Sequence, residues 1–565
     1  MYSAYINALI DGRPRRNDPS TGQDHTKKNP LPESLFSVQF APAYVIALIA
    51  QVLGASASTA FIVLTAVAAL LSSAAIFWLL VSVTGDSKLA GVGVIIVLCL
   101  GALVGGQGWV GILFRPGAIF SGLPFLRRYL PAAPFPLFFV FCTLVWHALT
   151  TSLPRKAISR GLLAGITFGG LVFSYFYLWT AALAWLFGVS ILWLVFRAAD
   201  WRRILIVCFS FGLPSLIVFT FYSYLLSGLP SGLNQAQVLV PGHSPDVWRV
   251  PQAVGVLSLI ALSLGAWFGK FDLKSPPIIF ASSFALLPLL VFNQQIITGR
   301  SIQSYHYEVF IINYAVLLGL VILLKILTPA ISRRKLFGIA AVCFLWGVIE
   351  VNQSFVQRST RDVRNDEAVP VLRNLRALAQ DDGTLVGLRE KGKAPILVFA
   401  PRIEISTMLP TWAPQGSLLA IGSVSFQSLS RADRTTSLFM HLHYCGHTSE
   451  SFRELLGRDN RDFLAYYAKS TLFGPERVWH FLTPHFQPLT ATEVEGQVRA
   501  YQSFIDSFAR EVVLKRPLGY AITSSSEEWH FSHIDKWYER DAGERVGNYN
   551  LYRLTLRRVH GLSVD

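Results

Sequence analysis

From residue 56 to residue 352 the chain is a succession of long apolar runs cut by short polar ones. The runs lie at about 56–83, 87–106, 133–151, 160–176, 178–197, 202–228, 251–269, 277–295, 307–328 and 335–352. Each approaches the ~20 residues a helix needs to cross a bilayer core of about 30 Å, so the pattern predicts about ten transmembrane helices. Residues 36–53 are apolar but carry a proline and end just ahead of Gly54, which predicts an interfacial or short entering helix. From about residue 353 charges become frequent and apolar runs shrink to strand length. Ala394–Ala400, Ser417–Ile421 and Asn548–Leu556 read as strands, and residues 363–380, 449–468 and 492–514 as helices, predicting an α/β domain. The expected architecture is a polytopic α-helical membrane protein with a C-terminal α/β extracytoplasmic domain. Its parts are 1–55, an outer N-terminal loop with an interfacial helix; 56–352, the transmembrane helices; and 353–565, the α/β domain.

Composition agrees, with 52% hydrophobic residues, 15% charged and a mean hydropathy of +0.44. A formal charge of +15 would suggest a nucleic-acid partner in a soluble protein, but here Lys and Arg punctuate the ends of apolar runs, so no nucleic acid is expected. Setting residues 1–55 outside puts Lys88, Arg155, Lys156, Arg160, Arg197, Arg202, Arg203, Lys270, Lys274, Lys325, Arg333, Arg334 and Lys335 on the cytoplasmic side. The outer loops then keep chiefly Arg115, Arg127, Arg128, Arg249 and Arg300. This predicts a multi-pass protein of the plasma or inner membrane, with its N-terminal segment and C-terminal domain facing one non-cytoplasmic compartment. Four of the five cysteines lie in or beside apolar runs, leaving Cys445 alone in the polar part, so no intrachain disulfide framework is implied.

Candidate chemistry gathers on two outer loops. Thr298–Glu308 brings Arg300, His306, Tyr307 and Glu308 to a membrane surface, where an arginine fork suits phosphate oxygens. Trp109–Pro134 carries Arg115, Arg127 and Arg128 among aromatics and helix-breaking prolines, a second phosphate grip. The plainer reading of both is interfacial anchoring with snorkelling arginines. Gly106–Gly111 matches GxGxxG but follows a membrane-length run, not a short strand, so it is not read as a dinucleotide site. His441, His443, Cys445 and His447 alternate, and on a strand all four would share one face with zinc-ligand chemistry. Four positions along one straight strand cannot close a tetrahedron, so a polar sheet face is the more economical reading and no metal is assigned. No Asp-x-Asp is present to bridge a diphosphate through a metal, and a divalent cation is the one cofactor left open.

The acidic first outer segment, the many spans, the Arg-bearing late outer loop and the outer α/β domain resemble the GT-C superfamily of integral-membrane glycosyltransferases. Tyr5–Pro19 is similar to the stretch after the first span in such proteins, and Glu33–Phe36 with Phe40–Pro42 resembles its return to the membrane. The resemblance implies transfer of a hexosyl or pentosyl group from a polyprenyl-phosphate-linked sugar to an acceptor outside the cytoplasm. It implies a carboxylate base, with Asp11 first and Asp18 second, and cations on the departing phosphate from among Arg115, Arg127, Arg128, Arg300 and His306, oriented by Tyr307 and Glu308. The family places its catalytic carboxylate just after a first transmembrane helix that this chain lacks. The expectation is therefore that Met1 is not the natural start, unless residues 36–53 cross the membrane and leave residues 1–35 inside. Two other classes stay open, a lipid or polysaccharide transporter or flippase, and a non-catalytic scaffold with an outer binding domain.

Overall fold

The computed structural model of the protein describes residues 2–109, 111, 123–127, 129–230, 239–381, 395–419, 429–474, 477–478 and 488–558, without the side chains of 124, 239–241, 300–302, 357, 358, 360, 361, 364 and 380. Among these residues nine helices are long and apolar enough to cross a membrane. In chain order the crossing helices are α3 (Ala57–Thr84), α4 (Ser87–Val104), α5 (Phe135–Thr150), α6 (Pro154–Val172), α7 (Phe176–Phe196), α8 (Trp201–Ser227), α9 (Val250–Trp267), α10 (Pro276–Phe292), α11 (Asn313–Leu327) and α12 (Arg333–Asp366). α6 is the one that length and apolarity alone do not select, because Arg155, Lys156 and Arg160 crowd its start. It nonetheless runs between α5 and α7 on turns of a few residues and packs along both α5 and α8, so it makes the tenth crossing.

Close packing explains why that charged helix stays in the bundle. Gly161, Gly165 and Gly169 line one face of α6 four residues apart, and a β-carbon there would lie 1.9 Å from Ser210 Oγ, 2.3 Å from Pro214 Cγ or 2.8 Å from Val218 Cγ2 of α8. Small residues at that spacing let two helices approach where hydrocarbon offers no hydrophobic drive. The bundle centre is aromatic, with Trp185 stacked on Phe284 and its indole N–H donating to Ser283 Oγ at 2.9 Å.

Ahead of the bundle lie α1 (Tyr2–Ile10), a minimal hairpin of β1 (Asn17–Asp18) and β2 (Gln23–Asp24), and α2 (Ala41–Val52). The 12 residues of α2 rise only about 18 Å, too short for a bilayer core. Its exposed Val45, Leu48, Ile49, Val52 and Leu53 fit the interfacial helix expected there. Residues 1–35 thus stay on one side.

Beyond the bundle α12 continues without a break to Asp366 and leads into α13 (Val369–Asp381). The sheet that follows has β5 (Leu397–Phe399), β6 (Gly416–Ser417), β7 (Leu518–Ser524), β8 (Tyr538–Arg540), β9 (Glu544–Val546) and β10 (Tyr549–Leu556). Strand order is β6-β5-β7-β10-β8, with β9 also on β10; the β5 pairings are parallel and those of β10 antiparallel. Alternate residues face opposite layers, as strand geometry requires. Val398, Tyr520 and Ile522 pack on α13 and on α14 (Ile403–Trp412), while Leu397, Phe399 and Ala521 pack toward α15 (Arg431–Tyr444). α16 (Ser449–Gly457), α17 (Phe463–Phe473) and α18 (Ala491–Asp506) complete the helical layer over α15. The region expected as one helix over 449–468 is thus two, broken around Arg458–Asp462.

Ten crossings return the chain to the side where it started, and contacts show the same independently. The Ser417 amide donates to the Ser20 carbonyl at 2.7 Å, and Asn7 Nδ2 donates to the Thr411 carbonyl at 2.5 Å. A β-carbon on Gly416 would stand 2.3 Å from the Thr21 carbonyl oxygen, so only glycine lets the N-terminal turn press against the sheet edge.

Candidate functional site

On the face that bears the C-terminal domain, α11 is preceded by a short helical turn, Ser304–Tyr307, and a π-helical segment, Glu308–Ile312. The wider π turn rotates successive side chains relative to an α-helix, a distortion that recurs at functional sites. His306 and Phe310 stand here side by side, ring centroids 5.4 Å apart, and the Arg127 guanidinium lies over Phe310 with Cζ 4.8 Å from its centroid. Arg127 is close enough to His306 to act on it electrostatically. Two tyrosines from the start of α7 enclose the imidazole: Tyr175 Oη is 3.5 Å from its Nδ1, and the Tyr177 ring packs edge-on at 4.7 Å. Tyr177 donates to Gln303 Oε1 at 3.1 Å, and Tyr307 shares a 2.7 Å hydrogen bond with Thr180, which fix the turn against α7. Tyr2 of α1 packs on Tyr129 and Phe36 and lies within electrostatic reach of Tyr175 and Tyr177.

The structure therefore unites one residue of each arginine-bearing loop, Arg127 and His306. Half-buried Arg127 has neither a carboxylate nor a hydrogen-bond acceptor among the described residues. A guanidinium left with unfilled donors beside a histidine and a ring of hydroxyls is equipped to take an anion.

Glu308 faces elsewhere. Arg249 binds its carboxylate at 2.8 Å, Asp246 at 2.7 Å and Ser304 Oγ at 2.7 Å, while stacking over Phe292. That network ties the head of α9 to the turn before α11, alongside the antiparallel pair of β3 (Leu239–Pro241) and β4 (Arg300–Ile302). Arg300 sits in β4 opposite Pro241, and its side chain lies outside the described set, as do Arg115 and Arg128 altogether.

The two N-terminal carboxylates lie in the junction with the C-terminal domain. Arg376 of α13 grips Asp11 through both nitrogens, at 2.5 and 3.3 Å. Asp11 follows the end of α1 opposite to Tyr2, about 14 Å away along the axis. Asp18 is fully buried and accepts the Ser20 amide at 2.9 Å within the turn that meets β6. Nearby Asp24 pairs with Arg13 at 2.8 Å, yet burial pushes its carboxyl above the usual range.

The strand expected at 441–447 is instead the end of α15 and the turn after it. A rotation of about 100° per residue scatters the four candidate ligands. His441 meets Cys445, Nε2 to Sγ 3.6 Å; His443 packs on His533 and Phe508, each at 4.5 Å; and His447 contacts Ser451 Oγ at 3.1 Å. No group of three His, Cys, Asp or Glu side chains among the described residues could hold a metal ion. Burial depresses the histidines, His441 to about 3 and His443 to about 4, the latter helped by His533 and Lys536.

Tyr2, Tyr175, Tyr177, Gln303 and Phe310 were not singled out from the sequence. Their only advance signal was aromatic clustering at span ends, which an interfacial belt shows equally.

Comparison with protein-family models and with curated protein sequences finds no match. Among solved structures the chain is similar to the Archaeoglobus fulgidus oligosaccharyltransferase. Against its apo form the TM-score is 0.42 at 11% identity, covering 95% of this chain and 68% of that one. Against the form tethered to an acceptor peptide containing the NVT sequon the TM-score is 0.42 at 10% identity, with the same coverage. Against its complex with Zn and sulfate the TM-score is 0.41 at 10% identity, covering 93% and 63%.

Proposed function

We propose that the chain is a membrane glycosyltransferase of GT-C type, which takes a sugar from a polyprenyl-phosphate carrier and passes it to an acceptor on the face bearing the C-terminal domain. The observation that carries this reading is Arg127, a half-buried guanidinium without an acceptor among the described residues, set beside His306 at the membrane end of the bundle. In this reading Arg127 and His306 hold the phosphate as the glycosidic bond to it breaks and negative charge collects on its oxygens. Tyr175, Tyr177 and Tyr2 offer hydroxyls and ring faces for the sugar next to it. Asp11 is bound to Arg376 and Asp18 is buried, so the phosphate grip, not the base, is what supports the proposal.

The same reading makes the opposite face cytoplasmic. The loops after α3, α5, α7, α9 and α11 lie there and hold most of the span-end Lys and Arg, which favours retention inside. The C-terminal domain is then extracytoplasmic in a plasma or inner membrane, where donors arrive on lipid carriers. Purified protein in liposomes, given a polyprenyl-phosphate-linked labelled sugar and an acceptor pool, should transfer label. Arg127→Ala should reduce turnover by about 10- to 100-fold, with Lys restoring only part because the fork is lost. Equal turnover in Arg127→Ala and the parent would remove the phosphate site from the account.

A further inference from the structure

Glu350 lies near the outer end of the apolar part of α12, a helix that turns Phe344, Leu345, Val348, Ile349 and Val351 outward. Glu350 points inward instead and has no exposed surface. A carboxylate at the edge of hydrocarbon is costly, and in such places usually has a function. Of the other outer carboxylates described above, Asp11, Asp24, Asp246 and Glu308 are each taken by an arginine and Asp18 accepts the Ser20 amide within its own turn, whereas no cation faces Glu350 among the described residues. Its two oxygens converge on the backbone N–H of Trp109, both at 3.3 Å, with Trp346 close by on its own helix.

The turn that receives this carboxylate is shaped for it. Gly108 adopts φ +69°, and a β-carbon there would stand 2.1 Å from Glu350 Oε2. The turn closes the outer end of α4. Tyr314, one helical turn below the Phe310 that carries Arg127, lies within electrostatic reach of Glu350.

We infer that Glu350 is a positioning residue, which holds the Gly108–Trp109 turn and with it the outer end of α4, against which α11 is fixed by Asn313 Nδ2 donating to the Gly101 carbonyl at 2.7 Å, so that Phe310 just ahead of α11 carries Arg127 beside His306. This rests on the reading of Arg127 as a phosphate grip. Glu350→Gln keeps an acceptor oxygen for the amide, Glu350→Ala removes it, and Gly108→Ala drives the carboxylate away. Two readouts apply: steady-state kinetics with a polyprenyl-phosphate-linked sugar, and amide hydrogen exchange of the peptide spanning 106–111. Glu350→Ala and Gly108→Ala should each raise the donor KM by about tenfold with kcat nearly kept and should lose exchange protection at the turn, while Glu350→Gln stays near the parent on both. Loss of kcat in Glu350→Gln would overturn the inference by showing that the charge itself is needed, and unchanged protection in Glu350→Ala would overturn it by showing that nothing is clamped. A parent protein that shows the protection yet neither binds nor uses any such donor would instead remove the glycosyl-transfer reading and leave the clamp standing.

Discussion

Acid should weaken the C-terminal domain through two histidines, over a pH window the structure sets. His441 and His443 are buried in the layer between α15 and the sheet, with folded-state values of about 3 and about 4 against an ordinary 6.5. The unfolded chain begins to take up these protons as pH falls through 6.5, while the folded chain refuses them until near 4 and 3. Stability is therefore fully present above 6.5 and declines below it. At pH 5 each histidine is about 1.5 units into its unfolded titration, so each costs about 2 kcal/mol and the pair about 4 kcal/mol, a large share of ordinary domain stability. Glu493, held at about 2 by the Thr490 amide and Arg477, titrates below this window and does not confuse it. The assay is urea denaturation of detergent-solubilised protein at pH 7.5 and 5.0, followed by tryptophan emission, with Trp529 and Trp537 in the same part of the fold. His443→Gln should remove about half of the pH-dependent loss. Equal midpoints at the two pH values, or an undiminished loss in His443→Gln, would refute the reasoning.

Three further outcomes follow from the junction and the topology. Asp11→Asn and Arg376→Gln should weaken the docking of α1 equally, with a coupling of about 1 kcal/mol in a double-mutant cycle because Arg376 is partly exposed; abolished turnover in Asp11→Asn alone would make Asp11 a base. Gly416→Ala should loosen residues 17–24 from the sheet edge, read as faster proteolysis of the N-terminal segment, and a protease pattern like the parent's would count against that contact. Cysteines placed at residue 243 and at the C-terminus should label from one side of the membrane and those at 157 and 272 only from the other; label reaching the C-terminus from the cytoplasm would end the lipid-donor reading.

The ten crossings were legible because an apolar run of membrane length has few other uses. Even α6 could be placed, although its reason for staying, the Gly161-Gly165-Gly169 face, was in the sequence and went unread. Met440 to Tyr444 shows the opposite case: five residues that alternate like a strand belong to a 14-residue helix whose N-cap, Ser430, lies ten positions earlier. Arg127 and His306 could be nominated separately as polar residues on outer loops, but not as neighbours, since 179 positions separate them and it is the Phe310 ring, packed on both, that joins them. Tyr175 and Tyr177 look in sequence like an interfacial belt. Glu350 passed as the polar end of a span, because what distinguishes it is the backbone of Gly108 and Trp109, more than 240 positions away.

The central claim is that Arg127 and His306 form a lipid-phosphate site, and binding tests it most directly. Native mass spectrometry or isothermal titration with a polyprenyl phosphate that carries no sugar reports on the grip without requiring turnover or a known acceptor. The account predicts saturable binding to the parent, weakened about tenfold or more by Arg127→Ala and in part by Arg127→Lys. Binding that is absent from the parent, or identical in Arg127→Ala, would contradict it.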